Sequence, residues 1–184
     1  MIIATEIKPS FLIETKLGGT VAGIDEAGRG PLSGPVVAAC VILSDGFYPD
    51  GLNDSKKLSS KKRAEIFLQL QKSGKNLSNF GIGIVDEKII DKINILNATK
   101  LAMKMAFEDM CQKISREGKC QPNMVIVDGN FIPDINCKAQ AIIKGDQKSF
   151  SIAAASVIAK ETRDKIMIEL DKEFPQYDWK QNKG

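Results

Sequence analysis

The sequence predicts an α/β fold in which a five-stranded mixed β-sheet is flanked by α-helices. Five short apolar segments, several of them rich in β-branched residues, have the length and pattern of strands. Three longer segments carry apolar residues at the helical period. Along the chain, three strands and two helices come before two further strands and a last helix. A mixed sheet covered by helices is the simplest way to bury both kinds of element.

The first two predicted strands, Thr20–Asp25 and Pro35–Leu43, are separated by a segment rich in Gly and Pro. This spacing indicates a β-hairpin. The three remaining strands are predicted from short apolar runs or from alternation of apolar residues with other residues. The fourth strand ends in an acidic residue. They are predicted at Asn79–Val85, Met124–Asp128 and Ala139–Ile143.

The three predicted helices span Ser60–Lys72, Ile93–Lys113 and Phe150–Phe174, and Ser59 or Ser60 can cap the first of them. Each carries an apolar stripe that we expect to face the sheet. The predicted inner positions are Ala64, Phe67 and Leu68, then Ala98, Leu101, Ala102, Met105, Ala106 and Met110, and finally Ile152, Ala155, Ala159, Ile166 and Leu170.

A length of 184 residues is typical of a single domain. Residues 1–18 are predicted to be a loosely attached N-terminal arm, and residues 19–184 to form the domain. We find no signal peptide and no apolar run long enough to span a membrane.

The composition excludes several kinds of chemistry. The chain has no histidine, so it cannot contain a Ser-His-Asp triad, a Cys-His pair or a histidine metal ligand. Its formal charge of +3 is too small to indicate nucleic-acid binding by itself. The four cysteines form no C-x-x-C motif, and we expect free thiols in a reducing cytoplasm.

Acidic residues follow several of the predicted strands. Asp25 and Glu26 end the first strand, Asp128 ends the fourth, and Asp146 follows the fifth. For any single acid, ordinary surface polarity is the alternative interpretation. If they converge, the carboxylates repel one another unless a cation lies among them, and oxygen ligands favour Mg²⁺ or Mn²⁺. Such a site is suited to hydrolysis of a phosphodiester.

Two further motifs are candidates for binding an anion. Gly28, Arg29 and Gly30 combine a backbone that a ligand can approach with a phosphate-binding side chain, although a plain hairpin turn would look the same. The basic segment 53–63 leads into a predicted helix, but it could equally be a solvated charge run.

Other polar and aromatic residues near the C-terminal half receive weaker predictions. Lys144, Lys148, Lys160 and Arg163 could form a basic rim near Asp146. We expect Asp164 to pair with a neighbouring Lys or Arg, and Tyr177 and Trp179 to pack in the core.

Five stretches of the chain resemble the ribonuclease HII family, the type 2 ribonucleases H of bacteria. The DEAGRGPLSGPV and KGDQKSFSIAAASVIAKETRD patterns are highly specific, and the resemblance runs from about residue 20 to Gly184. The matching stretches are VAGIDEAGRGPLSGPVVAACVIL (21–43), LNDSKKLSSKKR (52–63), VIVDGN (125–130), IIKGDQKSFSIAAASVIAKETRD (142–164) and YDWKQNKG (177–184).

The resemblance implies an RNase H-like fold for a single catalytic domain, and endonucleolytic cleavage of the RNA strand in RNA–DNA hybrids. It also implies cutting 5′ to a ribonucleotide embedded in duplex DNA by two-metal-ion catalysis, which leaves 5′-phosphate and 3′-hydroxyl ends. Carried over to this sequence, the metal ligands are Asp25, Glu26 and Asp128, with Asp146 completing a four-carboxylate site for Mg²⁺ or Mn²⁺. The residues expected to sense the ribose 2′-hydroxyl and the adjacent phosphate are Gly28, Arg29 and Gly30, and those expected to contact the phosphate backbone are Ser55 and Lys56.

One feature departs from the family. Its members usually continue past an Asn-Lys-Gly element with Tyr, Gly, Thr and a further helix, and that Tyr helps to recognise the DNA–RNA junction, whereas this sequence stops at Gly184. We therefore expect the usual C-terminal segment to be lacking. A catalytically impaired protein that binds RNA–DNA hybrids is the alternative function. The expected partners are RNA–DNA hybrids and duplex DNA containing ribonucleotides, with the chain acting as a cytoplasmic monomer.

Overall fold

The computed structural model describes residues 8–44, 46–72 and 78–184, which form one five-stranded sheet with helices on both faces. The strands lie in the order β3-β2-β1-β4-β5. The β1–β2 and β2–β3 pairs are antiparallel and the β1–β4 and β4–β5 pairs are parallel, so the sheet is mixed, as predicted. The strands are β1 (Val21–Ala27), β2 (Val36–Leu43), β3 (Ser78–Val85), β4 (Met124–Asp128) and β5 (Ala139–Ile142).

All five predicted strands are present, and one difference in their bounds matters for function. β1 continues to Ala27, so Glu26 lies inside the strand and pairs with Ala38 of β2. Neighbouring residues of a strand point to opposite faces of the sheet. Asp25 and Glu26 therefore leave the sheet on opposite sides, although they are adjacent in sequence.

The three predicted helices are also present, together with two short ones. α3 starts before the predicted Ile93 because two helical segments are joined at a kink, where Asn94 has a left-handed φ of 65°. The Asn94 side chain accepts a hydrogen bond from the Asn97 N–H at 3.1 Å and so caps the second segment. The helices are α1 (Leu12–Leu17), α2 (Ser60–Lys72), α3 (Glu87–Arg116), α4 (Phe150–Glu173) and α5 (Trp179–Asn182).

The sheet lies between two helical layers. α3 covers one face, and α2 and α4 cover the other, so Ala38 of β2 packs towards α3 and Ala39 packs towards α4. α4 crosses β1 at Gly23, where a Cβ atom would collide with the backbone of Ser151 and Ile152. Glycine at this position lets α4 lie close enough to β1 for its side chains to reach the end of the strand.

Most of the predicted inner helical positions are buried or partly buried, with two clear errors. Leu68 of α2 is 48% exposed and Met105 of α3 is 39% exposed. Ile66, Leu70 and Met103 are buried on these helices instead. Both errors come from assigning an apolar residue at the edge of a helical stripe to its centre.

The described part of the predicted N-terminal arm is fixed to the start of α4, so loose attachment is wrong for residues 8–18. Glu14 of α1 accepts hydrogen bonds from the Ser149 hydroxyl at 2.7 Å and from the Ser151 N–H at 3.0 Å. A carboxylate at the N-terminus of a helix satisfies free N–H groups and stabilises the helix. Residues 1–7 lie outside the described residues, and the predicted domain boundary stays a prediction.

All four cysteines have free thiols, as predicted, and Cys40 is buried in the core. Burial raises the pKa of the Cys40 thiol well above its ordinary value, so this residue behaves as a small apolar side chain. Among the helices in the described ranges, none combines the length and the apolar character needed to cross a membrane.

Candidate metal centre

Three aspartates meet where the parallel strands of the sheet end. The parallel pairing of β1 with β4 puts Asp25 beside Asp128. Asp146 reaches the same point from a 3₁₀ turn that follows β5. One carboxylate oxygen of each aspartate lies within 4.8 Å of those of the other two. The structure therefore brings together three of the four predicted acids, and we call Asp25, Asp128 and Asp146 the acid cluster.

Backbone groups hold two of these carboxylates in place. The Gly145 N–H donates to Asp128 Oδ1 at 2.6 Å, and the Glu26 N–H donates to Asp25 Oδ1 at 2.7 Å. A Cβ atom at Gly145 would press against the side chain of Ile152 and lie close to the Asp128 carboxylate. Glycine at the start of the turn thus lets its backbone reach the end of β4.

A buried hydroxyl connects Asp25 to the loop before α2. Ser156 of α4 forms a hydrogen bond with the Asp25 carboxylate. This bond lowers the pKa of Asp25, although burial and neighbouring charges raise it by more. The Ser156 Oγ also lies 2.8 Å from Ser55 Oγ, and Ser55 is only 4% exposed. The two serines therefore join the acid cluster to the loop that carries Lys56.

Burial and mutual repulsion act strongly on the acid cluster. Burial, followed by the charges of Glu26 and Asp128, raises the pKa of Asp25 well above its ordinary value. Burial, followed by the charges of Asp128 and Asp54, raises the pKa of Asp146 from 3.8 to about 6. Neighbouring buried carboxylates resist simultaneous ionisation, and a cation among them favours the charged forms.

Glu26 lies beside the acid cluster but outside it. Burial and then the charge of Asp128 raise the pKa of Glu26, whereas the charges of Arg29 and Lys56 lower it. The Arg29 Nη1 is 3.9 Å from Glu26 Oε1. Glu26 is therefore within electrostatic reach of both the acids and two cations, and its role as a metal ligand stays a prediction.

The chemistry of the acid cluster fits a hard divalent cation. Its three side chains offer only oxygen donors, and these lie close enough together to share one ion. Such donors favour Mg²⁺ or Mn²⁺, whereas Zn²⁺ sites usually contain histidine or cysteine. Burial and then the repulsion between neighbouring carboxylates raise the pKa values of Asp25 and Asp146, and a bound cation would relieve that repulsion.

The Gly-Arg-Gly loop follows β1 directly and lies beside these acids. Its two glycines are needed for different structural reasons. Gly28 has a φ of 101°, and a Cβ atom there would collide with the Arg163 side chain and the Pro35 carbonyl oxygen. Gly30 is exposed, with open space where a side chain would lie. Gly28 is thus required by packing, whereas Gly30 lets a ligand approach the backbone next to Arg29.

Comparison with protein families agrees with this arrangement. A model of the family described as ribonuclease HII matches residues 22–184, a span that contains the acid cluster and the Gly-Arg-Gly loop. The chain belongs to the ribonuclease HII family. The motif resemblance found in the sequence is therefore confirmed at the level of the family.

Two curated members of the ribonuclease HII family show how much of a relative the chain covers. The enzyme of Acetivibrio thermocellus is 51% identical over 164 residues, which are 89% of this chain and 60% of the relative. That of Erythrobacter litoralis is 47% identical over 171 residues, which are 90% of this chain and 76% of the relative. The chain thus spans about three fifths to three quarters of these relatives.

Solved structures of the ribonuclease HII family share the fold. The structure of the PCNA–RNase HII complex from Archaeoglobus fulgidus matches with a TM-score of 0.63 and 29% identity, over 85% of this chain and 78% of that chain. The mixed five-stranded sheet flanked by helices is therefore the RNase H-like fold that the resemblance implies.

The basic segment 53–63, whose last four residues lie in α2, contains both exposed and buried charges. Lys56 is exposed, whereas Arg63 at the end of the same segment is buried. Arg63 Nε donates to Glu161 Oε1 at 2.6 Å, and its Nη2 donates to Asp164 Oδ2 at 3.1 Å. Arg63 therefore joins α2 to α4, and it is not part of a solvated charge run. The predicted phosphate contact of the buried Ser55 hydroxyl stays a prediction.

The predicted basic rim near the acid cluster is wrong for two of its four members. Arg163 is 1% exposed, because it lies on the same inner stripe of α4 as Ala159, and it donates to three backbone carbonyls. Lys160 pairs with Asp164 at 2.7 Å, which confirms the predicted pairing of that acid. Only Lys144 and Lys148 are exposed as a rim would require.

The predicted burial of Tyr177 and Trp179 in the core is also wrong. Their rings stack on each other with centroids 4.8 Å apart, and Tyr177 is 54% exposed. Trp179 meets Phe174 edge-on at 5.9 Å, and Phe174 is itself 42% exposed. These aromatic residues therefore pack on one another at the surface near the C-terminal end of α4, and they lie outside the core of the sheet.

Asp54 is a residue near the site that the sequence analysis did not single out. It is 5% exposed and accepts hydrogen bonds from the Lys56 N–H at 2.9 Å and from Gln147 Nε2 at 3.3 Å. It therefore ties the loop carrying Lys56 to the turn carrying Asp146. Its position beside Ser55 in an Asn-Asp-Ser sequence is equally typical of an ordinary turn, so the sequence offered no distinctive signal.

We expect ionisation of Asp146 to lower the free energy of unfolding of the metal-free protein as the pH rises through about 6. Between its ordinary pKa of 3.8 and the raised value, the folded protein holds a proton that the unfolded chain has released. Folding is therefore favoured at the acid end of this window. The measurement is the melting temperature in EDTA at about pH 5 and about pH 7.5. The Asp146→Asn variant should show a weaker pH dependence, and an equal dependence in both proteins would contradict the assignment.

Proposed function

We propose that this chain is a metal-dependent endoribonuclease that hydrolyses the RNA strand of RNA–DNA hybrids and cuts 5′ to ribonucleotides embedded in duplex DNA. The observation that carries the proposal is the acid cluster lying beside the Gly-Arg-Gly loop at the end of β1. Membership of the ribonuclease HII family supports the same activity. Action as a monomer in the cytoplasm stays a prediction.

The acids supply the proposed catalytic site. Asp25, Asp128 and Asp146 would hold Mg²⁺ or Mn²⁺, with Glu26 as a further ligand on the other side of β1. Such ions, when bound, polarise the phosphate and make water a better nucleophile. The chain's own contribution is to keep the acids in place, through the Gly145 N–H and the hydroxyl of Ser156.

The groups beside the acids support selection of a ribonucleotide. The Arg29 side chain is 44% exposed and can donate two hydrogen bonds to a phosphate. The open space at Gly30 lets a sugar approach the loop backbone, and the 2′-hydroxyl is the group that separates RNA from DNA. Lys56 is exposed on the loop before α2, where it can contact a second phosphate.

The test uses the purified chain, Mg²⁺ or Mn²⁺, and an end-labelled DNA duplex that contains a single ribonucleotide. We expect one nick, 5′ to the ribonucleotide, that disappears in EDTA and leaves a 3′-hydroxyl that a DNA polymerase can extend. The matched control is the same duplex with a deoxyribonucleotide at that position, which should stay intact. An RNA–DNA hybrid of the same sequence should be cut at several sites.

The same assay distinguishes the alternatives. Binding of the hybrid without any nick, in either metal, would favour a catalytically impaired hybrid-binding protein and contradict the proposal. Equal cutting of the all-DNA control would indicate a different nuclease with the same fold, because the Gly-Arg-Gly loop would then have no role in selection.

A further inference from the structure

The ring of Phe131 lies against two cationic side chains. The guanidinium carbon of Arg29 is 5.2 Å from the ring centroid, and Lys100 Nζ is 5.8 Å from it. A cation within about 6 Å of the centroid is attracted by the electron density of the ring face. The Phe131 ring is therefore close to two cations, Arg29 from the loop after β1 and Lys100 from α3. We call Arg29, Phe131 and Lys100 the aromatic platform.

Phe131 is itself held by the hydrophobic core. It follows β4 after a short turn and packs against the apolar layer between the sheet and α3. Its side chain is only partly exposed. Because the ring is anchored on one side, it can orient the longer and more flexible side chains of Arg29 and Lys100.

The cations of the aromatic platform are poorly neutralised by nearby acids. Among the residues that the structure describes, Arg29 has one ion pair, a long contact of 3.9 Å with Glu26. Lys100 has no ion pair with any acid in the described part of the chain, whereas Lys104, one turn further along α3, pairs with Asp134 at 3.1 Å. Two cations gathered on one ring repel each other. An anion that contacts both cations would relieve that repulsion.

The platform extends positive charge across the end of the sheet. The Arg29 Nη1 lies 3.9 Å from Glu26 Oε1 at the end of β1, and Asp54 joins the loop that carries Lys56 to Gln147, the neighbour of Asp146. Lys56 belongs to the loop that is tied to α4 through Ser55, whereas Lys100 lies on α3, which covers the opposite face. A polyanion that crosses the acid cluster would meet Lys56 on one side and the aromatic platform on the other.

We propose that Arg29 and Lys100, supported by the ring of Phe131, bind a backbone phosphate of the nucleic-acid substrate on the α3 side of the acid cluster. This inference rests on the proposed function and adds Lys100 as a binding residue and Phe131 as a positioning residue. A phosphate contact carries no sequence information. Lys100 therefore contributes affinity and salt dependence, and it does not select RNA over DNA.

The test measures binding of a fluorescent RNA–DNA hybrid in EDTA at several salt concentrations, together with cleavage kinetics in Mn²⁺. Lys100→Gln should weaken binding roughly fivefold and reduce the slope of log affinity against log salt by about one, because one phosphate contact is lost. Its KM should rise while kcat stays close to that of the parent. The matched control is Lys104→Gln, a lysine of the same helix whose partner is Asp134, and it should leave the affinity and the slope unchanged.

A double-mutant cycle tests the role of the ring. Phe131→Leu keeps an apolar side chain in the core but removes the attraction to the cations. If the ring positions Lys100, the Lys100→Gln change should have a clearly smaller effect in the Phe131→Leu protein than in the parent. Equal effects in the two backgrounds would overturn the positioning role of Phe131. The melting temperature of each variant identifies any loss of structure.

The outcomes separate this inference from the proposed function. If the parent binds and cuts the hybrid, but Lys100→Gln has unchanged affinity and an unchanged salt slope, the platform is overturned and the proposed function stands. If the parent neither binds nor cuts any hybrid or ribonucleotide-containing duplex, the proposed function fails and the platform fails with it.

Discussion

Replacing Asp128 with asparagine is expected to reduce cleavage of an RNA–DNA hybrid by about three orders of magnitude, which corresponds to about 4 kcal/mol of transition-state stabilisation. After burial, which is the largest cause, the charge of Asp128 contributes to the raised pKa of Asp25, of Glu26 and of Asp146, so it acts on the other three predicted acids of the site. Asparagine keeps the shape of the side chain and can still accept the hydrogen bond from the Gly145 N–H. The change therefore removes one charge and one of the oxygens proposed to bind the metal, with little effect on the fold.

Two measurements separate this loss of catalysis from a loss of structure. In EDTA, the Asp128→Asn protein should bind the hybrid at least as well as the parent, because one charge that repels phosphate is gone. Its melting temperature in EDTA should rise by about 2–4 °C, as about 1 kcal/mol of repulsion is relieved. The control is Asp91→Asn, an exposed acid of α3 that should change neither quantity. Cleavage at the parental rate by Asp128→Asn would contradict the proposed role of the acid cluster.

Replacing Arg163 with alanine is expected to destabilise the protein by about 3–5 kcal/mol. The guanidinium is buried and donates to the carbonyl oxygens of Ser33 at 2.8 Å, Pro35 at 2.9 Å and Lys183 at 2.7 Å. Alanine would leave these acceptors without donors and open a cavity beside Gly28, whose backbone packs on the Arg163 side chain. Urea unfolding and the melting temperature, which should fall by about 10 °C or more, measure the effect.

The Arg163 prediction has two informative controls. Arg163→Lys keeps the charge, but one ammonium group cannot reproduce the fork of donors, so we expect only partial recovery of stability. Arg116→Ala removes an exposed arginine at the end of α3 and should change stability by less than about 0.5 kcal/mol. Because Arg163 supports the loop that carries Arg29, cleavage should fall as well. A stability equal to that of the parent would show that water replaces the three hydrogen bonds without cost.

The strands were predictable because their pattern is local. β4 has the bounds that its apolar run indicates, and β2, β3 and β5 each differ from their predicted bounds by one residue. The extension of β1 to Ala27 was not predictable, since Glu26 continues the strand only by pairing with Ala38 of β2. The early start of α3 was missed because the kink at Asn94 interrupts the helical period.

The acids of the site could be named from the sequence, but their grouping could not. Their position after apolar runs identified Asp25, Glu26, Asp128 and Asp146 as candidates. The parallel pairing of β1 with β4 then decided that Asp25 and Asp128 are neighbours, and the alternation of the strand put Glu26 on the other face. A strand order of β3-β2-β1-β4-β5 is a property of the whole sheet, and no single segment contains it.

By itself, the sequence determined the fold class, the positions of the main elements and the set of candidate acids, because each depends on residues close together in the chain. Only the tertiary structure decided which charged side chains are free to meet a substrate. Arg63 and Arg163 are buried because Glu161 and Ser33, which lie 98 and 130 residues away from them in the chain, supply hydrogen-bond acceptors. Arg29 and Lys100 instead lie near the ring of Phe131, and the ion pair of Arg29 with Glu26 is long, at 3.9 Å. A charged side chain is stable in the interior only where it has hydrogen-bond partners. Here those partners come from distant segments of the chain, which are brought into contact only in the folded structure.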